Sequence, residues 1–254
     1  MSPPRLVTIP ISHYCEKARW ALERAGIEYR EERHVQGIHM LMAKRAGGGI
    51  TVPVLVTPER SIGESEDILH WVDERTPAEH RLFPVPGPRR DEVLAISRRL
   101  DADLGPKGRR HIYVHLLPAR ELLMRFNNAG VPRWEERFMR HGLGAVAPVI
   151  KRRLAITPGI ERFDERDIFR ELDWVAELLS DGRPYLSGER FGAADLTFGA
   201  LSAAVVSPPD YGIPLPAPEE LPPATREFVE RARAHPAGAF ALSLVERHRR
   251  ERVG

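Results

Sequence analysis

The sequence is poor in cysteine: among 254 residues only Cys15 is present, so one chain cannot form an internal disulfide. Disulfides are typical of oxidising compartments, and none is indicated here. The chain also lacks an apolar run near the roughly 20 residues that a membrane-spanning helix needs. Its first residues lack the basic and then apolar pattern of a secretory signal. We therefore expect a cytoplasmic protein without a membrane partner.

The chain has little excess of either charge. It contains 38 Lys and Arg residues against 36 Asp and Glu residues, for a formal net charge of +2. Because nucleic-acid-binding domains show a marked basic excess, we expect no nucleic-acid partner. Hydrophobic residues make up 42% of the chain and charged residues 29%. These values are ordinary for a globular protein, and the length allows a sizeable core.

The first part of the chain alternates strand patterns with helical patterns. The predicted elements are a strand at 5–9, a helix that begins after Ser12, an extended segment at 27–34, a loose helix at 38–46, strands at 52–56 and 61–62, and a helix at 65–75. This β-α-β and then β-β-α order, with Pro53 at the start of the third strand, is the thioredoxin-like pattern.

A proline-rich stretch at 83–88 follows, and beyond it strand patterns almost vanish while helical patterns recur. Such a stretch is typical of a semi-rigid linker. We therefore predict an α/β fold combined with an all-α fold. A thioredoxin-like domain is expected at residues 1–82, a proline-rich linker at 83–90, and an all-helical bundle domain at 91–254.

Prolines also punctuate the helical part. Gly105 and Pro106 are expected to interrupt its first two helices, and Pro118 and Pro148 to kink the second and third. Segment 207–223 carries too many prolines for regular structure. Two interpretations of that segment stay open: it covers a binding pocket, or it crosses the surface.

Four segments resemble conserved motifs of one enzyme family. They are SHYCEKARWAL at 12–22, TVPVL at 51–55, GESEDIL at 63–69 and YLSGERFGAADL at 185–196. The first resembles the active-site turn and first helix of glutathione S-transferases of the serine-type (theta, zeta) and omega-like classes. The second is similar to the family's valine and cis-proline pair, the third to its acid-serine pair, and the fourth to the helix start in its helical domain. By their order, the chain is identified as a member of the cytosolic glutathione S-transferase family.

The resemblance implies glutathione as co-substrate and no metal. A thiol with a pKa of about 8.5 is mostly protonated at neutral pH, and a hydroxyl donor at a helix start favours the thiolate. Ser12 is the residue implied for this catalytic role. Backbone groups of Val52 beside Pro53 pair with the glutathione peptide. Glu64 and Ser65 hold its γ-glutamyl end, with Ser65 at the carboxylate and either Glu64 or Asp67 at the ammonium group. The resemblance also implies a homodimer and attack of the thiolate on a small apolar electrophile.

Simpler roles compete with these assignments. Ser12 and Ser65 are good helix caps, with or without a ligand. Cys15 stands three residues after Ser12, and because no C-x-x-C pair exists, dithiol chemistry is excluded. A cysteine one turn into a helix is more often a small packed residue than an activated thiol.

One feature departs from the family pattern. Thr51 stands where family members often carry lysine or glutamine near the glycyl carboxylate of glutathione, and Gln36, His39 and Lys44 are substitutes that the sequence does not rank. A non-catalytic binding or scaffold protein is therefore one alternative function. A glutathione-dependent reductase or isomerase is another.

His111 and His115 lie four residues apart on a predicted helix. Such a pair can bind a metal, but no third ligand is evident in the sequence. A second interpretation places both histidines, with Tyr113 and Arg120, at the electrophile pocket. A third is a solvated basic face of the helix.

Overall fold

Residues 3–253 are described by a computed structural model. Four strands form one sheet: β1 (Arg5–Thr8), β2 (Arg30–Arg33), β3 (Val54–Val56) and β4 (Ser61–Ile62). Their order is β2-β1-β3-β4, with β1 and β2 parallel and the other neighbours antiparallel. The N-terminal helices are α1 (His13–Arg24), α2 (Ile38–Arg45) and α3 (Ser65–Asp73). The predicted thioredoxin-like order is confirmed.

The central strand β1 is buried on both faces. Leu6 packs in the large core together with residues of α1 and α3, whereas Val7 packs with Ala43 of α2 and Val54 of β3. Alternate side chains of a strand point to opposite faces. Leu6 and Val7 therefore anchor helices on opposite sides of the sheet, which explains why neither residue has any exposed surface.

The rest of the chain is helical, as predicted. Its helices are α4 (Pro88–Ala102), α5 (Leu104–Leu116), α6 (Arg120–Asn127), α7 (Arg133–Arg153), α8 (Ile160–Leu178), α9 (Ala193–Leu201), α10 (Ala203–Val206), α11 (Pro223–Ala234) and α12 (Pro236–His248). All residues of α9 are buried. The Asp195 carboxylate accepts hydrogen bonds from the backbone N–H groups of Leu186, Ser187 and Gly192, and so supports the start of α9 from within.

The proline predictions for this part need two corrections. Gly105 and Pro106 do not interrupt a helix but lie in the first turn of α5, where a missing N–H costs no helical hydrogen bond. Pro118 does not kink a helix, because it lies between α5 and α6. Pro148 lies inside α7, as expected.

The two halves of the chain share a buried interface. Glu16 of α1 is fully buried, and its carboxylate accepts hydrogen bonds from Arg249, at 2.5 Å, and from the backbone N–H of Gly212, at 3.1 Å. Lys17, also fully buried, pairs with Asp101 at the end of α4 over 2.7 Å. These charged contacts fix α1, and the residues at its start, against the helical part. Within residues 3–253, the helices are too short or too polar to span a membrane.

Candidate functional site

Three segments converge at one edge of the sheet. Because β1 and β3 are antiparallel, with Val7 opposite Val54, the residues after β1 lie beside those before β3. Strand β4 runs antiparallel to β3, so the residues after Ile62 reach the same edge. Sheet register therefore brings the start of α1, the segment before β3 and the start of α3 together. These three segments contain all of the site residues proposed from the sequence.

Ser12 is the N-cap residue of α1 and is half-buried. Its hydroxyl oxygen accepts a long hydrogen bond, 3.4 Å, from the backbone N–H of Cys15. This bond uses a lone pair of the oxygen and leaves the hydroxyl proton free to be donated. Ser12 can therefore cap the helix and donate to an anion at the same time.

The neighbouring side chains of α1 are not available for the same task. Tyr14 donates its hydroxyl proton to the backbone carbonyl of Asp101 over 2.7 Å, and burial raises the pKa of Tyr14. Cys15 is fully buried, and burial likewise raises the pKa of its thiol. The structure supports the packed interpretation of Cys15 and excludes it as an activated thiol. Among Ser12, Tyr14 and Cys15, Ser12 is the one that combines partial exposure with a hydroxyl that donates no hydrogen bond within residues 3–253.

Val52 and Pro53 stand directly before β3. Their peptide bond is cis, as the family resemblance implies. Pro53 is buried and Val52 half-buried. Within the described residues, neither the N–H nor the C=O of Val52 has a hydrogen-bond partner. The backbone of Val52 can thus pair with an extended peptide at this edge of the sheet.

At the start of α3, the N-cap residue is Glu64, not Ser65. The Glu64 side chain is exposed and makes no capping bond, whereas Ser65 is the first helical residue and is buried. The interpretation of Ser65 as a simple cap is therefore wrong. In the described part of the chain, the Ser65 hydroxyl has no partner, and the first N–H groups of a helix have none within it. These donors can receive a carboxylate, and Glu64 can pair with an ammonium group.

Two further side chains, those of His13 and Arg109, lie near the start of α1. Burial, helped by the Arg109 guanidinium, lowers the pKa of His13 to about 3, so this imidazole is neutral at physiological pH. Arg109 also lies over the ring of Tyr14, with its Cζ 5.8 Å from the ring centroid. Gly105 permits this packing, because a Cβ there would collide with the Tyr14 hydroxyl. Arg109 supplies a positive charge from α5 to the surroundings of α1.

An apolar cavity of about 60 Å³ lies beside Ser12, between the two halves of the chain. Ile11 and His13, which flank Ser12, form one wall. Ile112 and Leu116 of α5 form another, with further residues from α6, α10 and α11. Segment 207–223 contributes part of the wall through residues that include Leu215 and Pro216. The segment therefore lines this cavity and does not only cross the surface.

The four pocket candidates of α5 and α6 do not line this cavity. His111 packs against Phe228, and its pKa is lowered to about 4, mainly by burial. Tyr113 receives a hydrogen bond from Gln36, and neither His115 nor Arg120 contributes to the lining. These four side chains therefore lie outside the lining of this cavity, and their placement at an electrophile pocket stays a prediction. Among the described residues, no cluster of three His, Cys, Asp or Glu side chains is arranged to hold a metal.

The three candidate ligands of the glycyl carboxylate of glutathione differ in whether their side chains are free to bind it. Gln36 donates to the Tyr113 hydroxyl over 2.6 Å and exchanges hydrogen bonds with Asn127, so its amide is committed to the domain interface. The pKa of His39 is lowered to about 4, chiefly by burial. Lys44 is exposed on α2 and forms no ion pair within residues 3–253. Lys44 is thus the remaining permanent cation of the three.

Known proteins resemble the N-terminal part of this chain in sequence and nearly the whole chain in fold. The sequence profile described as "Glutathione S-transferase, N-terminal domain" matches residues 6–80. This range contains the strands, α1 to α3, and the residues of the candidate site. A search of curated protein sequences finds no match.

Solved structures resemble the whole chain. A glutathione S-transferase from Xanthobacter autotrophicus Py2 is 18% identical, with a TM-score of 0.61 over 96% of this chain and 93% of that one. One from Methylobacillus flagellatus KT, solved with GSH bound, is 15% identical, with a TM-score of 0.59 over 94% and 93%. A theta-class enzyme from Xanthomonas axonopodis pv. citri is 18% identical, with a TM-score of 0.53 over 96% and 98%. At such identities these similarities establish the fold.

Proposed function

We propose that the chain is a glutathione transferase, because residues 6–80 match the profile of the glutathione S-transferase N-terminal domain and nearly the whole chain has the fold of solved glutathione S-transferases. The proposed reaction is attack of the glutathione thiolate on a small apolar electrophile. The observation that carries the proposal is the convergence, at one sheet edge, of Ser12, the unpaired backbone of Val52 and the donor-rich start of α3.

Each group has a distinct proposed role. Val52, beside Pro53, pairs with the glutathione peptide, while Ser65 and the first N–H groups of α3 receive the γ-glutamyl carboxylate. Glu64 pairs with the ammonium group. Ser12 donates to the sulfur, which lowers the pKa of the thiol and raises the fraction of thiolate at neutral pH. Because Cys15 is buried, the proposed chemistry is conjugation rather than reduction through a protein thiol.

The cavity beside Ser12 is the proposed site of the electrophile, since its walls are mainly apolar. At about 60 Å³ it is smaller than the roughly 150 Å³ cavity that admits benzene. An aromatic electrophile therefore requires the walls of the cavity to move apart. The proposed protein is a homodimer whose interface includes α3 and the first helices of the helical part, as the family resemblance implies.

A glutathione-binding protein without turnover is a second candidate. Two observations favour it. Gln36 is hydrogen-bonded to Tyr113 and Asn127 and is therefore not free to bind glutathione. Thr51 occupies the position where family members often carry lysine or glutamine. The two candidates share the binding site. They differ in whether Ser12 activates the bound thiol.

The first test is calorimetric titration with reduced glutathione. We expect saturable binding to the wild type and its loss in a Glu64→Ala, Ser65→Ala double variant, because the γ-glutamyl end loses its partners. Glu74→Ala, at the opposite end of α3, is the matched control and should bind as the wild type does. Absence of binding to the wild type would overturn both candidates. If the wild type binds glutathione but does not convert activated aryl halides or unsaturated carbonyl compounds, the second candidate function remains.

A further inference from the structure

Helix α7 presents a mainly apolar face to solvent. Trp134 is 60% exposed, Phe138 47% and Val149 55%. Trp134, Phe138, His141, Ala145 and Val149 follow one another at intervals of three or four positions, the spacing of one helix side, and Pro148 precedes Val149. The exposed residues along it are Trp134, Phe138, His141, Ala145, Pro148 and Val149. A contiguous exposed face of this composition indicates a contact surface.

The orientation of α7 is held by its opposite side. Met139, Leu143 and Ile150 are buried in the core. Near the start of the helix, the buried Glu135 carboxylate lies 2.7 Å from Nδ1 of His34 and accepts a 3.0 Å hydrogen bond from the backbone N–H of Val35. The helix therefore cannot rotate to hide Trp134 and Phe138 without breaking these contacts.

Positive charge surrounds the exposed face. The helix has six basic and two acidic residues, and one of the acidic residues is the buried Glu135. Five of the basic residues are exposed and form no ion pair with residues 3–253. These five are Arg133, Arg137, Lys151, Arg152 and Arg153. Since the whole chain has a net charge of only +2, this is a local concentration of unpaired positive charge.

We propose that α7 docks flat on an anionic lipid bilayer. Aromatic and aliphatic side chains of such a helix enter the boundary between headgroups and acyl chains, and flanking arginine and lysine residues contact the anionic headgroups. The sequence predicts no membrane partner because no segment can span a bilayer, but a surface-bound helix needs no spanning segment. The docking is independent of the proposed transferase activity.

Charge favours the bilayer over a second copy of the chain. A symmetric contact through α7 would bring the same five unpaired cations of both copies together, and juxtaposed like charges oppose association. A bilayer that contains acidic lipids instead supplies both an apolar layer and a dense array of negative charge.

The test is co-sedimentation of the full chain with vesicles of phosphatidylcholine, with and without phosphatidylglycerol. We expect binding only to the anionic vesicles, weakened by salt. Lys151→Glu, Arg152→Glu, Arg153→Glu should reduce the affinity at least about 100-fold, at about fivefold for each of the three positive charges removed. The matched control is Arg247→Glu, Arg250→Glu, Arg252→Glu, which makes the same charge change on exposed residues of the C-terminal end. Equal loss in the control would overturn the proposal.

Fluorescence of Trp134 gives a second readout. Trp20 and Trp71 are buried and Trp174 is half-buried, so Trp134 is the exposed tryptophan of the four. Anionic vesicles should shift the emission to shorter wavelength, and brominated lipids should quench it; Trp134→Phe should abolish both effects. Unchanged Trp134 emission would overturn the proposal. Sedimentation velocity without lipid tests the alternative of a second copy. If the wild type is an oligomer and Trp134→Glu, Phe138→Glu converts it to a monomer, the proposal is also overturned.

Discussion

Gln36 and Asn127 exchange hydrogen bonds across the interface between the two halves of the chain. Nε2 of Gln36 donates to Oδ1 of Asn127 over 2.5 Å, and Nδ2 of Asn127 donates to Oε1 of Gln36 over 2.8 Å. This pair ties the loop after β2 to the end of α6. Gln36 is therefore a structural residue of the interface and not a free amide for glutathione.

Replacement of Gln36 should separate these roles. Gln36→Ala leaves Oδ1 of the buried Asn127 amide without its donor, while Nδ2 keeps Asn128 as an acceptor. We therefore expect a loss of about 1–3 kcal/mol in the free energy of unfolding. The affinity for glutathione should change less than twofold. Urea denaturation and calorimetry measure the two effects. A large loss of affinity at unchanged stability would instead make Gln36 a ligand of the glycyl carboxylate.

Replacement of Ser12 tests the catalytic assignment. In Ser12→Ala the thiol of bound glutathione loses its hydroxyl donor, so its pKa should rise and turnover at neutral pH should fall about 10- to 100-fold. The long cap bond to Cys15 is also lost, at about 0.5–1 kcal/mol of stability. The pH profile of turnover gives the pKa, and Ser12→Thr, which keeps a hydroxyl, is the control. Wild-type turnover in Ser12→Ala would refute the assignment.

Cys15 should be chemically inert in the folded protein. It has no exposed surface, and burial raises the pKa of its thiol, so the reactive thiolate is scarce at neutral pH. We expect alkylation by iodoacetamide only after unfolding, as followed by mass spectrometry. Cys15→Ala should retain turnover. Rapid alkylation of the native protein would show that Cys15 reaches solvent.

Buried histidines should make stability depend on pH. The pKa of His13 is about 3 and that of His111 about 4 in the folded chain, against 6.5 for an ordinary histidine. Between these values the unfolded chain binds more protons, so stability falls as pH drops below 6.5, by up to about 1.4 kcal/mol per pH unit for each histidine. Thermal unfolding from pH 7 to pH 5 measures this slope. His13→Asn should reduce it; an unchanged slope would contradict the assigned pKa.

The Arg249 contact should stabilise the interface strongly. Arg249 is buried and binds both Glu16, at 2.5 Å, and Glu23, at 2.8 Å. Arg249→Ala leaves the fully buried Glu16 with Arg19 as its only remaining cation, and we expect a loss of about 3 kcal/mol. Arg252 also contacts Glu23, at 3.4 Å, but is half exposed, so Arg252→Ala should cost less than about 1 kcal/mol. Equal effects of the two variants in urea denaturation would contradict this account.

Each candidate site residue proposed from the sequence is marked by a pattern among its near neighbours in the chain. Ser12 at a helix start, Pro53 at a strand start and the acid-serine pair before α3 each have a sequence signal within a few residues. The cavity walls have no such signal. Ile112 and Leu116 are spaced like any apolar helix face, and nothing in the sequence separates a residue that lines a cavity from one that fills the core.

The sequence was sufficient for the order of strands and helices in the N-terminal part and for the helical character of the rest, because hydrophobic periodicity and turn residues act over a few positions. Only the tertiary structure decided that Cys15 is buried, that Gln36 is bound by Asn127, that segment 207–223 lines the cavity and that one side of α7 faces solvent. Each of these outcomes depends on contacts between residues far apart in the chain. Such contacts are set by how the two halves pack, which no local pattern encodes.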